Sequence, residues 1–138
     1  MNGQRGYLPT MELTKERLAL LDQTKEVHVE TSTASGSTRT IIWIVVVDDT
    51  VYVRSVRGDE GHWYQRALAN PLLAIHVGDE RIEFRAVHIS DPDERVAVSN
   101  ALRDKYPAGG SLDRMTRANV VDNTLRLEPI EPPDDEEE

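Results

Sequence analysis

Thr40-Ile41-Ile42-Trp43-Ile44-Val45-Val46-Val47-Asp48-Asp49-Thr50-Val51-Tyr52-Val53-Arg54-Ser55-Val56 decides the fold of this chain. Its first eight residues are all β-branched or aromatic, which suits a pleated strand and crowds a helix. No charged residue interrupts Ile41–Val47, so that strand has both faces covered. Asp48-Asp49-Thr50 reads as a tight turn. Beyond it Val51, Val53 and Ser55 alternate with Tyr52, Arg54 and Val56, the period of a second strand. Two such runs joined by three polar residues form a hairpin.

Toward the N-terminus, Glu26–Thr31 alternates Val27, Val29 and Thr31 with His28 and Glu30, a half-buried strand. Ser32–Thr38, rich in Ser, Thr and Gly, reads as a loop. Leu13–Gln23 reads as a short helix capped by Thr14, with Leu13 stapled on Leu18. Residues 1–10, polar with Gly3, Gly6 and Pro9, read as a flexible N-terminus.

Toward the C-terminus, His62–Ala69 has helical spacing and ends at Asn70-Pro71. Leu73–Val77 and Arg81–Ile89 form a second hairpin across Gly78-Asp79-Glu80. A helix from Asp91 to about Lys105 is predicted, with Asp91 as cap, Pro92 at N1 and Glu94 closing a capping box. Ser111 caps a further turn through Ala118, and Thr124–Leu127 is the last strand. The residues thus predict a mainly β domain over 11–128, with six mostly antiparallel strands and three or four short helices. A closed or half-closed barrel and a flat sheet covered by helices on one face both fit.

A chain of 138 residues is one domain, large enough to bury about two-thirds of its surface. Cysteine is absent, which removes disulfide and thiolate chemistry. The net charge of −9 is concentrated at one end: Glu128–Glu138 holds seven acids and no base, leaving 18 acids against 16 bases elsewhere. With Pro129, Pro132 and Pro133 interrupting any ladder, residues 129–138 read as a disordered acidic tail. No basic stripe emerges to neutralise nucleic-acid phosphates. The run Ile41–Val47 is far short of the roughly 20 residues of a membrane span. A soluble cytoplasmic protein, with neither nucleic acid nor membrane as partner, is the expectation.

No phosphate-cradling glycine loop of Walker type, nucleotide fingerprint or nucleophile elbow is present. His28, His62, His76 and His88 lack close ligand spacing and read as structural or surface residues, with no metal expected. His76 and His88 lie on strands expected to pair. The chemically informative stretch is Arg54-Ser55-Val56-Arg57-Gly58-Asp59-Glu60-Gly61-His62-Trp63-Tyr64. It joins two guanidinium forks and a hydroxyl to a glycine loop and a helix start, which suits phosphate. Trp63 and Tyr64 add stackable surface. The ordinary alternative pairs these arginines with Asp59 and Glu60 at a solvated edge and puts Trp63 in the core.

The succession Ile42-Trp43-Ile44-Val45-Val46-Val47, Val51-Tyr52-Val53-Arg54-Ser55, Trp63-Tyr64, Leu68-Ala69-Asn70-Pro71 and Ala74-Ile75-His76-Val77 resembles the FMN-binding split-barrel superfamily. That superfamily includes pyridoxamine-phosphate-oxidase-like and deazaflavin-dependent nitroreductase-like proteins, and the likeness is greatest to a branch of small uncharacterised bacterial proteins. Leu125–Pro129 is similar to its closing strand. The resemblance implies a six-stranded antiparallel split barrel, a homodimer, and FMN or a deazaflavin in a groove. It implies cofactor contacts from Arg54, Ser55, Arg57 and Gly58, with Trp43, Trp63 and Tyr64 beside the ring. An oxidoreductase of this kind and a non-enzymatic split-barrel module binding a small anionic ligand or a partner are the two functional expectations. Gly61-His62-Trp63 stands where the nitroreductase-like pattern has two glycines followed by Lys-His.

Overall fold

The computed structural model describes residues 13–57 and 62–130. The expectations for residues 1–10, Gly58 and residues 131–138 of the tail lie outside them. The chain runs α1 (Lys15–Gln23), β1 (Glu26–Thr33), β2 (Gly36–Trp43), β3 (Val45–Val47), β4 (Thr50–Arg54), α2 (His62–Ala69), β5 (Leu72–Val77), β6 (Glu80–His88), α3 (Pro92–Lys105), α4 (Gly110–Met115) and β7 (Thr124–Pro129). All seven strands form one antiparallel sheet in the order β2-β1-β5-β6-β7-β4-β3. The sheet curls into a half-barrel.

The strand count is seven where the sequence predicts six, because Thr40–Val47 is broken at Ile44. Ile44 is completely buried, so its backbone groups need partners there. Its N–H donates to Tyr106 Oη at 3.1 Å. Its carbonyl accepts from Lys105 Nζ at 2.7 Å and lies 3.1 Å from Tyr106 Oη. Side chains from the end of α3 thus replace ladder bonds. The two halves sit at opposite ends of the sheet order, β2 on β1 and β3 on β4, so one bent segment serves both edges.

Alternation along this segment separates two cores. Ile42, Ile44, Val51 and Val53 face the interior of the curl with Leu21, Trp63, Ile75, Phe84 and Leu125. Val45 and Tyr52 face the other way, with Trp43 packed beside them, against Val98, Leu102, Tyr106 and Leu112 of the helical layer. A run apolar on both faces is therefore sandwiched between a barrel interior and α3.

Local chemistry departs from expectation at three other places. Ser32–Thr38 is largely strand, with Ser32 opposite Ser37 and Thr33 opposite Gly36. Pairing with the neighbouring strand overrides the loop tendency of Ser and Thr. Asp91 caps α3 by accepting from the Asp93 N–H at 3.1 Å. Glu94 does not close a capping box but takes the Tyr52 hydroxyl at 2.6 Å and Arg126 Nη1 at 2.7 Å. Finally, α4 is capped by Gly109 with φ of 154°, and not by Ser111. Thr14 caps α1 as expected, accepting from the Arg17 N–H at 3.2 Å. The turn between β3 and β4 is two residues long, Asp48 and Asp49, both with positive φ.

Candidate functional site

Because Val51 and Val53 point into the barrel, Tyr52 and Arg54 must point out beneath α3. That parity fixes the fate of Arg54. Only 3% exposed, it donates from Nε to Thr124 Oγ1 at 2.8 Å and from Nη1 to Ser99 Oγ at 2.8 Å. It also donates from Nη1 to the Met115 carbonyl at 3.2 Å and from Nη2 to the Arg95 carbonyl at 3.0 Å. All four acceptors are uncharged. Burial pulls the guanidinium down to about 10, and the like charges of Arg103 and Arg95 add to this. It stays a cation at neutral pH, with no carboxylate pairing it among the described residues.

Two cavities open at this end of the barrel. The larger, about 470 Å³, is lined by Thr40, Ile41, Ser55, Val56, Arg57, His62 and Trp63. The smaller, about 230 Å³, is lined by Ile41, Ile42, Trp43, Arg54, Val56, Trp63, Ser111, Arg114 and Met115. Ile41, Val56 and Trp63 belong to both walls.

The predicted site residues distribute between these spaces. Ser55, Arg57 and Trp63 line the larger cavity, and Arg54, Trp43 and again Trp63 the smaller. Ser55 is buried, and its backbone is tied to Asn123: its N–H donates to the Asn123 carbonyl at 3.0 Å and its carbonyl accepts from Asn123 Nδ2 at 3.2 Å. Arg57 is exposed. Trp43 has one face stacked on Tyr106. Tyr64 lines neither cavity; it is buried, with its ring edge-on to Trp63 at 6.0 Å. Sequence reasoning did not single out Thr40 and Ile41, nor Ser111, Arg114 and Met115 from α4. Nothing in the sequence sets Ile41 apart from the apolar run around it, although the structure leaves it 57% exposed. The α4 residues arrive from sixty positions away and carry no signal either.

Elsewhere, Glu30 is gripped by Arg81 and His76, with His76 Nε2 2.6 Å and Arg81 Nε 3.1 Å from its Oε1. Hydrogen bonds from Arg81, then His76, hold its carboxyl down at about 2. His76 lies opposite Arg81, whereas His88 lies opposite Leu125 at the far end of β6, so the two histidines do not meet. No group of three metal-binding side chains occurs among the described residues. Among them, too, no helix is long and apolar enough to cross a membrane.

Residues 17–127 match a family described as an uncharacterized protein conserved in bacteria (DUF2255). No match to a curated protein was found. Among solved structures, the haem storage protein HutZ from Vibrio cholerae superposes with a TM-score of 0.65 at 16% identity, over 88% of this chain and 93% of that one. An FAD binding protein from Mycobacterium smegmatis gives 0.58 at 17% identity, over 86% and 90%. An F420 reductase gives 0.54 at 19% identity, over 82% and 92%. Identities this low speak for the fold alone, and that fold is the split barrel.

Proposed function

The chain belongs to that bacterial family on a split-barrel scaffold, and from this premise we propose that it is a flavin-binding protein, an FMN- or deazaflavin-dependent oxidoreductase. The observation that carries the reading is the larger cavity, where Ser55, Arg57, His62 and Trp63 converge at the end of β4 and the start of α2. Its volume of about 470 Å³ falls in the range of small-molecule and cofactor sites. Arg57, the Ser55 hydroxyl and the first N–H groups of α2 would hold the phosphate. Trp63, Ile41 and Val56 would wall the ring. A bound flavin supplies the electron or hydride transfer, and the protein supplies position, charge and shelter from water. That an FAD binding protein and an F420 reductase share the scaffold supports this reading.

The residues fit the cofactor in part. Arg54, with four internal hydrogen bonds, cannot offer a free fork, and Trp43 is committed to Tyr106. That observation favours the second reading, a non-enzymatic module that binds a small anionic ligand or a partner without flavin. A homodimer belongs to either proposal: a second copy would cover Ile41 and Val56, 57% and 38% exposed beside the groove. Light scattering on the purified chain measures this directly, and a monomer at all concentrations would remove the dimer.

The deciding experiment is a visible spectrum of the purified protein, followed by titration with FMN and with F420. Saturable binding that perturbs the flavin band supports the first reading. A colourless protein that binds neither cofactor, but is stabilised by phosphorylated metabolites, would leave the second.

A further inference from the structure

We propose that the smaller cavity is a second ligand site, for a small aromatic carboxylate whose ring lies against Trp63 and Met115 and whose carboxylate faces Arg114 and Arg54. Its charge is the first argument. Two arginines and, among the described residues, no acid line it. A guanidinium has five N–H groups, and the hydrogen bonds of Arg54 use four, all on neutral acceptors. A buried cation without a counter-ion is costly, and the neighbouring charges it feels, Arg103 and Arg95, are also positive. The nearby acid Asp122 is already paired with Arg95 at 2.8 Å. Arg114 is exposed at the rim, and among the described residues its side chain donates only to Ser111 Oγ, at 3.4 Å. An anion entering here would meet one anchored and one exposed guanidinium.

Shape and position narrow the ligand. Apart from Ser111, the rest of the lining is apolar or aromatic, which calls for a flat apolar body rather than a bare inorganic anion. At about 230 Å³ the space is below the usual range for drug-sized ligands, so the body is on the order of one ring. Trp63, Ile41 and Val56 line both this cavity and the larger one, so the two adjoin. Calling this ligand the substrate rests on the flavin reading, which would put the cofactor in the adjoining cavity. The site itself does not depend on it.

The test uses the full chain, with benzoate as probe, benzyl alcohol as its uncharged counterpart and acetate as the anion without a ring. Trp43 and Trp63 both line the cavity, so tryptophan fluorescence and calorimetry report occupancy. Benzoate should bind saturably, and the other two about tenfold more weakly or worse. Arg114→Ala, at an exposed position, should weaken benzoate by about tenfold while leaving the melting temperature in place. Equal binding of benzyl alcohol, or benzoate affinity untouched by Arg114→Ala, would overturn the proposal. With FMN titrated in parallel, benzoate failing while FMN binds sinks this site alone. FMN failing while benzoate binds sinks the flavin reading and leaves the site standing.

Discussion

The rings of Trp43 and Tyr106 stack with centroids 3.9 Å apart and planes 3° from parallel. Sixty-three positions apart in sequence, they join the last residue of β2 to the residue that ends α3. The Tyr106 hydroxyl continues the joint, donating to the Lys25 carbonyl at 2.6 Å and accepting from the Ile44 N–H.

Tyr106→Phe keeps the stack and removes only the hydroxyl. It leaves the buried Ile44 N–H without its partner, at a cost of about 1–3 kcal/mol. Urea denaturation should show a lower midpoint at unchanged slope. Stability within about 0.5 kcal/mol of wild type would show that the hydroxyl is dispensable to the strand break.

Arg54→Lys separates a structural from a binding role. An ammonium cannot reach four acceptors spread around a planar fork, so Thr124, Ser99 and two carbonyls lose their common donor. The expected loss is about 2–5 kcal/mol in denaturant unfolding. A variant as stable as wild type that had lost only ligand affinity would contradict the structural role.

Arg57→Ala should do the reverse. Arg57 is exposed at the mouth of the larger cavity, so stability should stay within about 0.5 kcal/mol. FMN affinity should fall about tenfold or more in a fluorescence titration. Unchanged affinity would remove Arg57 from the phosphate site.

Glu30→Gln should flatten the acid limb of stability. The Glu30 carboxyl is held at about 2 against an ordinary 4.5, by Arg81 first and then His76. As pH falls from about 4.5 to about 2, the unfolded chain takes up its proton before the folded one, so stability drops through that window. Wild type should lose stability more steeply there than the Gln variant, as followed by thermal melts. Parallel curves would show that the Glu30 cluster does not couple to folding.

The period-two stretches were legible because burial on one or both faces writes itself into adjacent residues. Val27, Val29, Val51 and Val53 could be assigned to the interior from alternation alone. The break at Ile44 could not, since its cause is Lys105 and Tyr106 at the end of a distant helix. The site divides the same way. Ser55, Arg57 and Trp63 lie close together in sequence, and the structure brings them to the wall of one cavity. Arg54 sits one position before Ser55, but strand parity turns it under α3, onto neutral acceptors of α3, α4 and β7 that no local pattern reveals. Arg114 and Met115 offered no pattern, only proximity that the fold creates.

The place of β7 between β6 and β4 bears on how the protein is made. Every other strand of the sheet leaves the ribosome before the one that joins β6 to β4. Until then β4 and β6 lack the neighbour that β7 supplies, and open strand edges of this kind invite stray pairing. The sheet becomes continuous only once β7 has been made. A chain truncated after residue 120 should therefore be digested by protease throughout, and a resistant fragment spanning β1–β6 would show that closure is not needed.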